Sequence, residues 1–278
     1  MQYEPETLRR LQAVLLEMLK DIDAACRKGG IEYFLDAGTC LGALRHGGFI
    51  PWDDDIDLGM SRANYQRFIE IAPDLLEGRG YVVAHPGSDE RVAGMFAKVW
   101  KKGTVFSTRE TVEAGLPQGI FVDVFPYDDV HADEGVARRQ LRACRAWQNV
   151  SYLHHAKTIT VPHRGVLGKA ERMACSLAHG VARAVFSPKR IASSFERVAA
   201  LGSSAPSGSC ANMAYPQFGR FPSEVLWPTR LWRFEDADFP VPADPERYLE
   251  IAYGPSWREL PPESKRRNHA PLALDFGA

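Results

Sequence analysis

The run Trp52-Asp53-Asp54-Asp55-Ile56-Asp57 places four carboxylates within five positions. Such a cluster repels itself strongly unless it is solvated, protonated or bound to a cation. In an extended segment Asp53, Asp55 and Asp57 share one face, while Asp54 and Ile56 share the other. Ile56 and Leu58 then anchor the strand, and Asp55 and Asp57 converge in a cleft. This pair suits Mg²⁺ or Mn²⁺, hard ions that take oxygen ligands and leave room for water and substrate phosphates. The expectation is metal-supported chemistry at a phosphate. An EF-hand loop counted from Asp53 requires Gly and Glu where Leu58 and Asn64 stand. A D-x-D glycosyltransferase would use the same metal-and-diphosphate chemistry. A merely solvated acidic turn is opposed by the apolar flanks Trp52, Ile56 and Leu58.

A second acidic element is Phe121-Val122-Asp123-Val124-Phe125-Pro126-Tyr127-Asp128. Alternation puts Phe121, Asp123 and Phe125 on one face, with Val122 and Val124 opposite. An acid among such neighbours is costly without a cationic partner. Alone, Asp123 reads equally as a satisfied structural acid or a catalytic one. Beside the first acidic strand it becomes a third metal ligand or a general base.

The elements that must hold these acids are legible around them. Leu8, Leu11, Leu15, Met18, Leu19 and Ile22 recur at helical spacing over residues 5–28, and Gly29-Gly30 closes that helix. Strands are expected at 31–35, 56–60, 81–83, 96–100 and 120–125. A helical turn is expected at 40–45, and helices at 62–71, 133–156 and 166–198. The stretch from Gly202 to Ser209 reads as a Gly/Ser/Pro linker. There is no internal repeat.

Composition narrows the function classes. Lys plus Arg is 34 against 35 for Asp plus Glu, so the basic footprint of a nucleic-acid binder is missing. Five scattered cysteines without a C-x-x-C pair argue against a disulfide framework and fit a reducing compartment. The first residues lack a secretory pattern, and no stretch reaches the roughly 18 to 20 apolar residues that span a bilayer. The expected location is cytoplasmic.

Three segments, taken together, resemble the LicD family and the catalytic part of fukutin-type proteins. They are Leu35-Asp36-Ala37-Gly38-Thr39-Cys40-Leu41-Gly42-Ala43-Leu44-Arg45, Ile50-Pro51-Trp52-Asp53-Asp54-Asp55-Ile56-Asp57 and Gly119-Ile120-Phe121-Val122-Asp123-Val124-Phe125-Pro126. Echoes follow at Tyr248-Leu249, Tyr253-Gly254 and Leu260-Pro261-Pro262-Glu263. The resemblance implies an α/β (α+β) fold with a nucleotidyltransferase-like mixed-sheet core, a helical insertion and an irregular C-terminal cap. The expected divisions are 1–130 for the catalytic core, 131–215 for the helical section and 216–278 for the cap. It also implies transfer of phosphocholine, or a related phospho-alcohol, from a CDP-linked donor to a glycan or lipid-linked glycan.

By that resemblance Asp55, Asp57 and Asp123 are the catalytic and metal-binding acids, with Asp53 an extra ligand on the same face. Gly38 and Thr39 fall at the donor phosphates, although a plain turn and helix start explains them equally. Arg45, Lys98, Lys265, Arg266 and His269 are candidate donor-binding groups, against the alternative of surface charge or a solvated tail. Trp52 is a candidate for stacking on cytosine or a trimethylammonium, with core packing as the ordinary alternative. The apolar face Met173, Leu177, Val181, Val185 and Phe186 within 172–190 packs on the core or touches the inner face of a membrane.

Overall fold

The computed structural model describes residues 3–157, 173, 175–176, 179–266, 268–269 and 271–277. The first helix, α1 (Pro5–Gly29), has Pro in its first turn and ends at Gly30, whose φ of 61° is left-handed. Leu11, Leu15, Met18, Leu19 and Ile22 form its buried stripe. The expected strands appear as β1 (Phe34–Leu35), β2 (Asp57–Ser61), β3 (Tyr81–Ala84) and β4 (Ala97–Lys101). After β5 (Val105–Ser107) comes β6 (Phe121–His131), the longest strand described. Further strands are β7 (Pro206–Asn212), β8 (Phe221–Pro222), β9 (Arg230–Phe234), β10 (Ala237–Val241) and β11 (Ala273–Asp275).

The main sheet runs β1-β2-β6-β4-β3, with β7 beside the second half of β6 and β8 beside β7. It is mixed: β2 and β6 are parallel, while β6 is antiparallel to β4 and β7. The fold class is therefore α/β with a mixed sheet. One row of the register matters most. Asp57 on β2 lies opposite Asp123 on β6, which lies opposite Lys98 on β4. Leu58, Met60, Val122 and Val124 are fully buried and fix that register from the core.

Helix α2 (Ala37–His46) follows β1, and α3 (Arg62–Leu75) follows β2, capped by the Ser61 hydroxyl. Next come α4 (Arg109–Ala114) and α5 (Glu134–His155). Two expectations change beyond residue 156. The stretch expected as one helix over 166–198 ends a helical segment before Phe186. A new helix, α6 (Pro188–Ala199), then starts at the Ser187 cap. The remainder of that stretch, including most of 166–178, lies outside the described residues. The expected linker is partly a strand: Pro206–Asn212 pairs with β6, burying Cys210, Ala211 and Asn212. The chain continues through α7 (Ser223–Leu226) and α8 (Pro245–Tyr253), and β11 returns to pair with β5.

No described helix is long and apolar enough to cross a membrane. Of the apolar face proposed within 172–190, Met173 is exposed, Val181 and Val185 are exposed, and Phe186 packs edge-on against Trp147. Leu177 lies outside the described residues.

Candidate active site

The site is built where β1, β2 and β6 deliver polar residues to one end of the sheet. Asp36 ends β1 and caps α2, accepting the Ala37 N–H at 2.8 Å. Its carboxylate is buried and also accepts the hydroxyls of Tyr127, at 2.8 Å, and of Tyr248. Ala37 has a left-handed φ of 42°, an uncommon backbone for a residue with a Cβ. The Tyr248 hydroxyl accepts its N–H as well, so β1, β6 and α8 hold that turn jointly. Burial raises the Asp36 carboxyl, opposed by the two tyrosine hydroxyls.

The acidic run is less regular than an extended strand. Regular pairing begins only at Asp57, and the Asp53 N–H closes a turn onto the Ile50 carbonyl. Asp54 turns to Tyr3, whose hydroxyl donates at 2.6 Å, and to the backbone and ring of His269. Asp53 bonds to the Asp55 carboxyl and sits 3.1 Å from where a Cβ on Gly38 would stand. A larger residue at position 38 would therefore press on this carboxyl. The expectation that Asp53, Asp55 and Asp57 project together is corrected by that turn. Asp55 and Asp57 face the cavity, whereas Asp53 backs onto Asp55 and the start of α2.

Asp55, Asp57 and Asp123 line a single cavity of about 190 Å³ with Asp36, Tyr215 and His269. Burial pushes the Asp57 carboxyl well above the usual range, and the charges of Asp55, Asp123, Asp36 and Asp53 add to it. No group among the described residues hydrogen-bonds the Asp57 side chain. Asp123 is also raised, by burial first, against the pull of Lys98. Lys98 Nζ reaches both Asp123 oxygens, at 2.6 and 3.0 Å. A concentration of buried oxygen ligands with so little internal compensation fits a hard divalent cation. Asp55, Asp57 and Asp123 would hold it. The described residues whose ligand atoms lie within 4.8 Å of one another are instead Asp54, Asp55 and His269, so Asp55, Asp57 and Asp123 share the cavity without so close an approach. In that group Asp54 and His269 already serve each other: Nδ1 lies 3.0 Å from Asp54 and 3.6 Å from Asp55. Burial lowers the His269 imidazole, but the Asp54 hydrogen bond and the charges of Asp55 and Asp54 carry it up to about 9. A protonated ring is a partner for carboxylates and not a metal ligand.

The remaining expected residues fall at graded distances from these acids. The Thr39 hydroxyl is buried and accepts the Asp57 N–H at 2.9 Å, which makes it a brace for β2. Arg45 donates to the carbonyls of Trp257 and Glu259, tying α2 to the C-terminal part. Trp52 packs partly into the core, and one ring face carries the Arg266 guanidinium at 4.7 Å. Lys265 is exposed in a short 3-10 turn and does not line the cavity. His269 does reach the site. The sequence reading passed over Asp36 as a site residue, and also Tyr127, Tyr215 and Tyr248. Asp before a helix start was the available sign for the first.

With this geometry in place, likeness to known proteins becomes informative. Residues 30–162 match the family model described as LicD/FKTN/FKRP, nucleotidyltransferase domain. The chain carries a LicD-family domain. Over 126 residues it is 38% identical to the lipopolysaccharide cholinephosphotransferase LicD of Haemophilus influenzae, covering 45% of each chain. Over 125 residues it is 43% identical to the human ribitol 5-phosphate transferase FKRP, covering 44% of this chain and 21% of that one. An uncharacterized protein of Rickettsia typhi is 38% identical over 71 residues, 26% of this chain and 23% of that one. Each match thus spans less than half the length of its relative. The LicD-family segment contains α2, β2 and the whole of β6, and so all the carboxylates of the cavity. Tyr215 and His269 come from beyond it.

Proposed function

We propose that this chain is a metal-dependent transferase that moves a phospho-alcohol group from a CDP-linked donor to a hydroxyl of a glycan. The observation that carries this reading is the row Asp57–Asp123–Lys98, which lines one cavity with Asp55 inside a LicD-family domain. The bacterial and human relatives are a cholinephosphotransferase and a ribitol 5-phosphate transferase, which supports transfer of a phosphorylated alcohol. In it the acceptor oxygen forms a bond to the phosphorus next to the donor's alcohol, the bond to CMP breaks, and CMP leaves. Mg²⁺ or Mn²⁺, bound by Asp55, Asp57 and Asp123, would supply charge neutralisation at the diphosphate. Asp123, whose two oxygens Lys98 holds in place, would either complete that metal site or receive the hydroxyl proton. His269 and Asp54 anchor the C-terminal segment at the edge of the cavity.

Donor binding is the direct test. CDP and CDP-alcohols should raise the melting temperature with Mg²⁺ and hardly at all with EDTA. At a ligand concentration of a hundred times Kd the gain is about 2.7 kcal/mol, a shift of several degrees. Equal shifts with and without metal would remove the metal-held diphosphate. Product analysis then fixes the reaction: free CMP marks phospho-alcohol transfer, and pyrophosphate marks nucleotidyl transfer.

A further inference from the structure

Beyond Asp123 the catalytic cavity leads into a second, smaller one of about 100 Å³, and both share Asp123, Tyr215 and His269. Gln118, only 4% exposed, lies in its wall. Its Oε1 is fully buried and has no hydrogen-bond partner among the described residues. A buried amide oxygen without a donor is unfavourable, and a small turn of the Gln118 amide toward the cavity would let a bound hydroxyl satisfy it. Glu110, which is exposed, lies in the wall of both this cavity and a third one of about 320 Å³. Tyr152 lines both as well, and its hydroxyl meets that of Tyr215 at 2.9 Å. A polar trough therefore runs outward from the reacting acids.

We infer that this trough is a polyol subsite, in which Gln118 and Glu110 hydrogen-bond hydroxyl groups of the substrate. The assignment rests on the proposed phospho-alcohol transfer and says which kind of alcohol fits beside it. A hydroxyl both donates and accepts, so it satisfies the Gln118 amide whichever way that amide is turned. A trimethylammonium group has no hydrogen bond to offer. It would also meet a resident cation, because Lys98 Nζ already lies 3.9 Å from the ring centre of Phe121 and 5.2 Å from that of Phe96. Those faces of Phe121 and Phe96 are thus in use, and the Lys98 charge opposes a second cation beside them. The hydroxyls can come from the alditol of the donor or from the sugar of the acceptor, which share this chemistry.

Binding measurements with Mg²⁺ on the full chain separate these sources. CMP serves as the reference, against CDP-ribitol, CDP-glycerol and CDP-choline, for wild type, Gln118→Leu and Glu110→Gln. If the donor's alditol occupies the trough, CDP-ribitol should bind at least about tenfold more tightly than CDP-choline, and both substitutions should shrink that ratio. If the acceptor occupies it, donors bind alike. A panel of methyl hexosides added to CMP-saturated protein should then give saturation-transfer signals that both variants lose. Glu110→Gln lies on an exposed rim and guards against a Gln118→Leu protein that fails to fold. A preference for CDP-choline overturns the inference. So does CMP binding with neither alditol preference nor variant-sensitive hexoside binding, which leaves the proposed transfer standing. Absence of metal-dependent CMP binding instead removes the proposed transfer itself, and the subsite with it.

Discussion

Asp57→Asn should lower transfer by about 10²–10³-fold or more and yet raise the melting temperature of the metal-free protein. The activity loss follows from removing a negative ligand in a cavity where charge must be held in place at the moment of reaction. The stability gain follows from the surroundings of Asp57. Its carboxyl is pushed up by burial and by the charges of Asp55, Asp123, Asp36 and Asp53, and no described group hydrogen-bonds it. The folded state therefore holds this proton more tightly than the unfolded chain does. Stability from this group is present below the unfolded value of about 4 and is lost as pH rises toward the raised folded value. Metal-free wild type should accordingly melt lower at pH 8 than at pH 5, and Asp57→Asn should flatten that slope. Asp55→Asn should lose activity similarly, with a smaller stability gain, because Asp55 also attracts His269. Calorimetry with EDTA and a transfer assay with Mg²⁺ check both halves. Retained transfer would take these residues out of the chemistry, and lost transfer with a collapsed fold would make them structural.

The parts of this site legible in the sequence are those whose signal is local. The stripe on α1, the glycines that end it, and the acid-apolar alternation of β2 and β6 announce themselves within a few residues. Alternation also places Asp123 with Phe125 on one face, and both line the cavity. What could not be read depends on partners far along the chain. Asp54 lies within the acidic run, but it turns to Tyr3 and to His269, 215 residues later. Lys98 could be read only as a free cation, because its place opposite Asp123 is set by antiparallel pairing of β4 with β6. The Pro206–Asn212 strand has linker composition. Its pairing comes from the second half of β6, which runs past the end of β4 and extends six residues past Phe125 to His131. Tertiary context decided that segment against its own propensity.

The same strand carries a second acid whose fate is opposite to that of Asp57, and it gives the largest expected loss of stability. Asp128 is 3% exposed and receives two charge-assisted hydrogen bonds from Arg62, both 2.7 Å long. Arg62 also reaches Glu196 at 2.9 Å, so one guanidinium joins α3, β6 and α6. Burial raises the Asp128 carboxyl and the guanidinium opposes that rise, so the ion survives only because its partner is present. Arg62→Ala would strand a buried carboxylate at a cost of about 3–5 kcal/mol. Asp128→Asn should cost less, because Arg62 keeps Glu196 and lies nearer solvent, with a side chain 19% exposed against 3% for Asp128. The pair Arg62→Met with Asp128→Leu should recover most of the loss, since well-packed apolar residues often replace a buried ion pair without penalty. Urea unfolding of wild type and the three variants measures these differences. A loss below about 1 kcal/mol for Arg62→Ala would place the pair among ordinary surface bridges. Asp128 does not line the catalytic cavity, so Arg62→Ala should still bind CDP with Mg²⁺ wherever it stays folded. Asp57→Asn should do the reverse, staying folded and losing that binding, which separates the acid that serves chemistry from the acid that serves the fold.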